Sequence, residues 1–505
     1  MPMHVEKFND FKFGVVNAIE TSDIPKEALH KSQNMYYREN RWRKMPGFAQ
    51  MNDTTMGAFN VRGIGKYFDI PSGTKRLLAA CGNDVFRFVD GVTPESIYSQ
   101  LVEDDIEFLS YPPFTYFGSP NNLWRRYEGG TITYPVGGDN GQAADAPRKF
   151  SKIVFNDYSG RFFGIGQLTN PDYLYWSEHI DDEGIEKWPD GNVQIVPSRG
   201  GDVPIHAEIY EGRINVFNQN SMSSGNVSGT VTNWSFQSEK TQSGYLAPRT
   251  IKRYGNFFFG LTQDFEVYQW PTDKFITKGR VKFNINPYKA KFSTAEIVED
   301  RYYDICFESG EAVSSDKFHW WRYDILGDRW YGPHIQRNCV TMYYDHDDRV
   351  LYCGGADNFQ GFILPLRGRN VLSSAMKCHM MTGFVNQGDI RNDKRYSMLR
   401  IRAKQEGSLA GGGGQLEAII NADQLSGHPI SQAILLEDPA NQNLSETSMV
   451  KDSVIKRGHI HEEFGRGSSV QVEFKHEVFD GDLQISEWEL EYFSRTKKEN
   501  RGAGT

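Results

Sequence analysis

The chain has 505 residues and a formal net charge of −9, and 13% of its residues are aromatic. The abundance of Phe, Tyr and Gly favours many short strands and turns over a helical fold. No apolar run reaches the roughly 18 residues of a membrane span, and the negative charge argues against tight binding to a nucleic-acid backbone.

Residues 1–56 predict an N-terminal β-arm and hairpin. The start, MPMHVEKFNDFKFG, has charges where a signal peptide needs an apolar segment, so we expect synthesis in a cytoplasm without standard export. Residues 11–16 predict a short strand, and residues 28–34 are compatible with one or two helical turns. Residues 35–42 predict a hairpin strand that the Met-Pro-Gly turn at 45–47 closes.

Residues 57–370 carry a degenerate repeat of two short strands, clearest at residues 255–270, GNFFFGLTQDFEVYQW. Its spacing of ~40–50 residues is typical of propeller blades. The aromatic face of one such unit stays wet unless a neighbour packs on it, so we expect a closed ring of six or seven blades. The repeated β-runs begin near Arg76, Phe114, Arg161, Arg213, Asn256, Arg301 and Arg349.

Two insertions and one aromatic pair interrupt the repeat. Residues 178–197 are acidic and longer than a hairpin needs, and residues 218–229 predict a polar, flexible loop. Such loops either carry contacts or are tolerated insertions. Trp320 and Trp321 are neighbours on a strand, so their side chains alternate, and we expect one in the core and the other available for a contact.

Residues 371–495 predict a separate C-terminal β-domain, half of a sandwich or a small jelly roll. Val470, Val472 and Phe474 alternate with polar residues, as expected for a sheet with one buried face. The alternation slips by one residue near Ser486 and Glu487, which predicts a bulge. Residues 496–505 are charged and predict a frayed tail.

Few side-chain patterns indicate chemistry. The five cysteines contain no CxxC pair, and Cys81, Cys306 and Cys353 accompany the repeated strands, so we interpret them as small buried apolar residues. His459 and His461 have metal-ligand spacing, with Glu463 beyond, but no complete ligand set. No phosphate loop or nucleophile motif occurs, and no carboxylate pair stands out for glycoside cleavage. We expect no catalysis, no cofactor and no metal.

The opening of the chain resembles the tail nozzle proteins of short-tailed bacteriophages, also called tail tubular protein B or packaged-DNA stabilisation proteins. The resemblance extends over the propeller-like middle and the β-rich C-terminal region. The residues that carry it are Phe13, Gly14, Asn17, Pro25, Ala28, Gln33, Asn34, Met35, Arg43, Lys44, Pro46 and Gly47.

The resemblance implies a structural virion protein at the distal end of a short phage tail, made in the host cytoplasm. It implies a homo-hexameric ring around a channel, a portal-side adaptor as neighbour, and contacts to tail fibres, spikes or a plug. Double-stranded DNA would pass transiently. The alternative from another class is a glycan-binding or glycan-cleaving propeller of a tail fibre or secreted enzyme.

A channel that holds DNA without trapping it needs carboxylates on its wall, because each Lys–phosphate or Arg–phosphate contact releases counterions and strengthens binding. The acidic insertion is the best candidate for a channel loop. Its candidate channel residues are Asp181, Asp182, Glu183 and Glu186.

Overall fold

A computed structural model describes most of the chain, and the described part is all β. It contains no α-helix, and its helical segments are 3-10 turns at Val231–Asn233, Pro248–Thr250, Ala290–Phe292 and Asp357–Phe359. Within the described residues no helix is long and apolar enough to cross a membrane. The described ranges are 3–70, 73–130, 133–136, 149–180, 186–189, 191–197, 202–239, 241–311, 317–372, 374–385, 393–406, 415–422, 430–435, 454–459, 466–467, 469–478 and 482–495.

Five strands precede the repeat. Residues 28–34 were compatible with helical turns, but residues 28–33 form strand β3 and Asn34 is a turn residue. A hairpin does form, but residues 35–42 are not one strand: the chain turns at Glu39 and Asn40, between β4 and β5, and not at 45–47. The two turn residues have φ values of 52° and 60°, as a hairpin turn that matches strand twist requires. The five strands are β1 (Met3–Phe8), β2 (Gly14–Val15), β3 (Ala28–Gln33), β4 (Met35–Arg38) and β5 (Arg41–Lys44).

The repeat region folds into successive antiparallel sheet units, of which the first four have four strands each. Unit 1 comprises β6 (Val61–Asp69), β7 (Thr74–Cys81), β8 (Asp84–Phe88) and β9 (Pro94–Tyr98). Unit 2 comprises β10 (Glu107–Tyr111), β11 (Phe114–Gly118), β12 (Arg125–Tyr127) and β13 (Thr133–Pro135). Unit 3 comprises β14 (Lys152–Asn156), β15 (Arg161–Ile165), β16 (Tyr173–Trp176) and β17 (Val193–Ile195). Unit 4 comprises β18 (Pro204–Tyr210), β19 (Arg213–Asn218), β20 (Met222–Asn226) and β21 (Ser235–Ser238).

The described strands complete the series with three more units. Unit 5 comprises β22 (Lys252–Tyr254), β23 (Phe257–Leu261), β24 (Val267–Trp270) and β25 (Lys274–Phe275). Unit 6 comprises β26 (Thr294–Val298), β27 (Tyr302–Glu308), β28 (Phe318–Asp324) and β29 (Arg329–His334). Unit 7 comprises β30 (Cys339–Asp345), β31 (Val350–Gly355) and β32 (Ile363–Pro365).

These units form a β-propeller, as the repeat predicted. The sequence anchors mark equivalent positions, because each lies within two residues of the start of the second strand of its unit. Arg213, Phe258 and Tyr302 thus occupy equivalent strands of units 4, 5 and 6. The first strands of neighbouring units contact one another at most junctions, and units 4 and 5 meet where Phe217 packs against Phe258. Because β30 of unit 7 contacts β6 of unit 1, the ring is closed.

The segment before unit 1 completes the closure. The backbone N–H groups of Ala49 and Met51 donate to the carbonyls of Pro365 and Ile363, at 3.1 and 3.0 Å. Asn52 Oδ1 accepts from the Ile363 N–H at 2.8 Å. An N-terminal segment therefore lies along β32, the outer strand of unit 7, and ties the two ends of the ring together.

The C-terminal strands belong to two larger sheets. One sheet has the order β37-β34-β40-β5-β4, with β1 on β40 and β38 on β34. The other continues from unit 6 in the order β26-β27-β28-β29-β2-β3-β33-β39-β35-β36. The C-terminal strands are β33 (Met376–Thr382), β34 (Asp393–Glu406), β35 (Gln415–Ala422), β36 (Ile430–Leu435), β37 (Val454–His459), β38 (Arg466–Gly467), β39 (Val470–Val478) and β40 (Asp482–Arg495).

The N-terminal arm and the C-terminal domain are one structure, whereas the sequence suggested two. Strands β1, β4 and β5 lie in one sheet with β40, and β2 and β3 connect unit 6 to β33. Phe11 packs against Trp488, with 4.9 Å between ring centroids, and Phe474 contacts the same indole at 5.1 Å. The two sheets share this core, and we call the assembly the two-sheet unit. Long-range pairing of this kind leaves no local sequence signal.

The predicted bulge is confirmed. Arg402 pairs with Glu487 and Ala403 with Ile485, so Ser486 is the extra residue. The prediction of a sheet with one buried face needs correction at β39. Gln471 and Glu473 are buried on its second face, and the Gln471 amide donates to the Thr382 carbonyl at 3.0 Å.

Three further expectations can be compared with the structure. Trp320 and Trp321 are both buried, so neither is available for a surface contact. Within the loop expected at 218–229, residues 222–226 form strand β20. Ser221, just before this strand, and Ser223, within it, are buried. Small hydroxyl side chains fit such a site when they are hydrogen bonded, as Ser221 is to Asp202 at 2.6 Å. All five cysteines are buried and unbridged, which confirms that interpretation for Cys81, Cys306 and Cys353.

Candidate functional site

The N-terminal motif begins at the seam between the propeller and the two-sheet unit. Gly14 pairs in parallel with Trp330 of unit 6 on one side and with Ala28 on the other. Its φ is +63°, and a Cβ there would lie 2.6 Å from the Trp330 carbonyl oxygen. Glycine is therefore required by both conformation and space.

Asn17 holds the next part of the seam. Its N–H donates to the Arg280 carbonyl at 2.8 Å, and its Oδ1 accepts from the Lys282 N–H at 2.7 Å. Residues 280–282 connect units 5 and 6 of the ring. Pro25 lies in the turn before β3. Its carbonyl accepts a hydrogen bond from the N–H of Ala28, the first residue of that strand, at 2.9 Å.

Gln33 and Asn34 form hydrogen bonds to strand β33, and Asn34 also contacts strand β29 of unit 6. The side-chain amides of both residues donate to the Lys377 carbonyl of β33, at 3.1 and 2.9 Å. Asn34 has a positive φ of 54°, and its N–H donates to Nδ1 of His334, the last residue of β29, at 2.9 Å. The pair therefore links unit 6 to the C-terminal strands through hydrogen bonds that few other side chains could make.

Pro46 and Gly47 complete the motif. The Pro46 carbonyl accepts from Nη2 of Arg337 at 2.7 Å. The Gly47 N–H donates to the Gly368 carbonyl at 3.0 Å, and a Cβ on Gly47 would lie 1.8 Å from the Asn370 carbonyl oxygen. Gly14, Asn17, Pro25, Gln33, Asn34, Pro46 and Gly47 are thus all used for local or seam packing.

A buried ion pair lies at the same seam. Arg322 of β28 donates from Nε and Nη2 to the two carboxylate oxygens of Asp304 of β27, both at 2.7 Å. The guanidinium lies over Tyr302 and over Tyr36 of β4, at 4.6 and 5.1 Å from the ring centroids. The cation therefore bridges the propeller and the two-sheet unit through an aromatic sandwich.

Arg337 is a second buried cation near the seam. It packs against the rings of Phe48 and Trp320, each 5.3 Å from the guanidinium carbon, and burial lowers its pKa to about 10. Cys339 lies beside it. Hydrogen bonds from the thiols of Cys306 and Cys353, together with the guanidinium charge, lower the pKa of Cys339.

The first strands of the propeller carry a second charged region, which we call the axial charge cluster. The sign of the charge alternates from strand to strand around much of the ring. Lys152 Nζ lies 2.9 Å from Glu107 Oε2, and Lys252 Nζ lies 3.0 Å from Glu296 Oε2. The alternating residues are Lys66, Glu107, Lys152, Glu208, Lys252 and Glu296, on β6, β10, β14, β18, β22 and β26.

Charge pairing fixes the ionisation of this cluster. Burial alone would raise the pKa of Glu107, but the charges of Lys152 and Arg249 lower it to about 2. Burial lowers the pKa of His206, whose Nε2 is 3.0 Å from Glu208, so the imidazole is neutral at neutral pH. Burial raises the pKa of Asp105, which lies 3.2 Å from Arg249. These carboxyl groups are held by neighbouring side chains.

Sequence reasoning missed the axial charge cluster, although a signal exists. Each alternating charge lies in the strand directly before a repeat anchor, as Lys152 does before Arg161 and Lys252 does before Asn256. The separation between charge and anchor varies, from 4 residues at Lys252 and Asn256 to 10 residues at Lys66 and Arg76, so the charges have no fixed position in the repeat. An alignment of the anchors alone does not display them.

The candidate channel loop is only partly described. Asp181, Asp182 and Glu183 lie outside the described residues. Glu186 differs from the expectation, because its side chain is buried and accepts from the Tyr116 hydroxyl at 2.8 Å. Its carboxylate also lies 3.3 Å from Arg126 Nη1. A carboxylate so enclosed does not present charge to a channel wall, because an internal cation already neutralises it.

The histidine pair is not tested by the structure. His461 and Glu463 lie outside the described residues, and His459 is described only as the last residue of β37. In the part of the chain that the structure describes, no group of three or more His, Cys, Asp or Glu side chains could hold a metal ion.

A solvent-facing cavity of about 430 Å³ opens on unit 4, and we call it the unit 4 cleft. It lies over the outer strands β19, β20 and β21. Ser224 forms a buried floor, and Arg213, Asn226 and Gln237 are exposed around it. The lining residues are Glu211, Arg213, Ser224, Asn226, Ser228, Ser235, Phe236 and Gln237.

No protein-family model and no curated protein sequence matches this chain. Solved structures do resemble it in fold. The extracellular domain of a putative hybrid two-component system from B. thetaiotaomicron shares 10% identity at a TM-score of 0.39, over 65% of this chain and 41% of that one. The chain spans less than two thirds of that relative.

Two smaller structures match over nearly their whole length. BBS1N, in complex with ARL6DN, shares 11% identity at a TM-score of 0.40, over 64% of this chain and 98% of its own. The WD40 domain of Neurospora crassa Pan2 shares 8% identity at a TM-score of 0.38, over 64% of this chain and 96% of its own. Such distant likeness concerns the propeller fold and carries no function to this chain.

Proposed function

We propose that this chain is a structural virion protein, the nozzle of a short phage tail, which retains packaged DNA and releases it at infection. The observation that carries the proposal is the use of the N-terminal motif. Gly14, Asn17, Gln33, Asn34 and Gly47 fasten the propeller to the two-sheet unit at backbone positions that leave little freedom. A ring that holds DNA under pressure needs subunits that do not bend between their parts.

The axial charge cluster supports a particular route for DNA. Ion pairs such as Lys152 with Glu107 and Lys252 with Glu296 join the first strands of neighbouring units, which contact one another around the ring. We propose that the DNA channel runs between copies of the chain and not through the propeller of one copy. We propose a homo-hexamer around that channel, with a portal-side adaptor above and fibres, spikes or a plug below.

The rival function is a glycan-cleaving propeller. Such an enzyme needs a protonated carboxyl beside an ionised one, and both must be free to reach the substrate. Asp105 lies just before β10 and Glu107 is the first residue of that strand, but Arg249 is 3.2 Å from Asp105 and Lys152 is 2.9 Å from Glu107. Their engagement with cations favours a structural role over catalysis.

Light scattering after size-exclusion chromatography, with particle imaging, tests the ring. We expect a stable assembly of six copies around an open channel. Lone monomers at all accessible concentrations, in the presence of the adaptor protein, would falsify the nozzle proposal and favour a glycan-active propeller.

The charge of the channel wall is tested by the triple variant Asp181→Lys, Asp182→Lys, Glu183→Lys. We expect rings to form as in the parent chain, but DNA release to slow, because the added cations bind phosphates. The slowing should fade at high salt, since salt screens exposed charges beyond ~10 Å at 0.1 M. Unchanged release at low salt would show that this segment does not face the channel.

A further inference from the structure

We propose that the unit 4 cleft binds a neutral oligosaccharide. This inference goes beyond the nozzle proposal and does not depend on the oligomeric state. It stands on the cavity, on the arrangement of polar side chains across three strands, and on their balance of charge and hydrogen-bonding groups.

The sheet of unit 4 has two different faces at this point. Ile214, Val216 and Val227 lie in an apolar core on one side. On the other side, Arg213 pairs in register with Asn226, and Asn226 pairs with Ser235. Neighbouring strands lie ~4.8 Å apart, so the cleft presents polar groups in evenly spaced rows.

Internal contacts hold these side chains in place before any ligand arrives. The Ser224 hydroxyl bridges the Arg213 guanidinium and the Glu239 carboxylate at the floor of the cleft. Gln237 Nε2 donates to the same carboxylate at 3.2 Å. Asn226 Oδ1 accepts from the Ser228 hydroxyl at 2.6 Å. A pre-organised site loses less entropy when a ligand binds.

The polar groups of the unit 4 cleft that make no internal hydrogen bond within the described part of the chain are suited to bind the hydroxyls of a sugar. Among described partners, the Asn226 amide N–H, the Gln237 side-chain carbonyl and the Ser235 hydroxyl make no hydrogen bond. They offer donors and acceptors side by side, and a sugar hydroxyl is itself both donor and acceptor.

The charges select against anions. Arg213 is 3.4 Å from Glu239, and Glu211 adds a second carboxylate to the rim. A phosphate, sulfate or carboxylate would meet more negative than positive charge. The volume of about 430 Å³ lies within the range of about 300–1,000 Å³ found for small-ligand sites. A short, uncharged glycan segment therefore fits the cleft best.

The test uses the full chain and saturation-transfer NMR with titration calorimetry. The probes are maltotriose, cellotriose and mannotriose, with a sulfated trisaccharide as the anionic comparison. We expect at least one neutral probe to bind and the sulfated probe to bind at least tenfold more weakly. The double variant Asn226→Ala, Gln237→Ala should weaken the neutral probe about tenfold, the scale of one or two hydrogen bonds.

The matched control is Gln194→Ala, which removes an exposed amide from the outer strand β17 of unit 3. It should leave binding unchanged. The proposal is overturned if no neutral probe binds, if the sulfated probe binds equally well, or if the double variant and the control behave alike. Glycan binding by a chain that stays monomeric would sustain this site while removing the nozzle proposal.

Discussion

The axial charge cluster and the seam both depend on ion pairs, but the pairs lie in different environments. At the axis, the side chains of Lys152 and Glu107 remain 16% and 23% exposed. At the seam, Arg322 and Asp304 are 4% and 0% exposed and lie beneath aromatic rings. The same chemistry therefore has different consequences. Water screens the charges of the axial pairs, whereas at the seam no water can replace either partner if the other is removed.

The difference in exposure sets how much each ion pair contributes to the free energy of unfolding. Partly exposed pairs typically contribute up to about 1 kcal/mol, because solvent already stabilises each charge. Removing one member of a buried pair costs about 3–5 kcal/mol, because the other charge stays buried alone. The seam should therefore dominate the stability of the subunit, and the axis should set its response to pH and salt.

The largest effect should come from Asp304→Ala. It leaves the Arg322 guanidinium buried without its carboxylate, and we expect a loss of about 3–5 kcal/mol in the free energy of unfolding, measured with urea. The double variant Asp304→Ala, Arg322→Met removes both charges and should recover a substantial part of that loss. Equal losses in the single and double variants would mean that packing, and not charge, holds this seam.

Gly14→Ala tests the close approach at the seam. Gly14 and Gly255 have nearly the same φ, +63° and +58°, but only Gly14 has atoms in the way of a Cβ. Gly255→Ala should cost about 1–2 kcal/mol from backbone strain alone. Gly14→Ala should cost about 1–3 kcal/mol more, because the Trp330 carbonyl must move. Identical thermal shifts for the two variants would contradict the contact argument.

The smallest effect should come from Lys152→Met at the axis. The pKa of Glu107 is lowered to about 2, so its stabilisation is complete above the ordinary glutamate value of about 4.3 and is lost as the pH falls towards 2. Removing the ammonium should reduce stability at pH 7 by about 1 kcal/mol.

Acid titration and salt provide the readouts for Lys152→Met. Because the pKa of Glu107 rises in the variant, the acid-dependent loss of stability that Glu107 contributes should be smaller than in the parent chain and complete at a higher pH. The difference from the parent chain should shrink in 1 M salt, where the screening length is about 3 Å. A loss at pH 7 that is insensitive to both pH and salt would point to lost side-chain packing.

Much of the fold could be predicted because its signals are local. In each unit, turn residues followed by aromatic and β-branched residues mark the second strand, as at Arg213 and Arg301. The recurrence of this pattern predicts the propeller. The slip in alternation at Ser486 predicts a bulge because side-chain direction alternates with every residue of a strand. The motif residues Gly14, Asn34 and Gly47 could be singled out, although their shared location could not.

The sequence alone therefore determined the repeat, the strand periodicity and the burial of Cys81, Cys306 and Cys353, since each depends on neighbours along the chain. Only the tertiary structure decided the rest. It joined β1 to β40, enclosed Glu186 beside Arg126, and brought Lys152 to Glu107 at the axis. Each of these pairs residues that are far apart in the chain, and a residue type does not reveal which distant partner will neutralise or cover it. The charged residues were thus expected on the protein surface, whereas the fold buries some of them, such as Glu186.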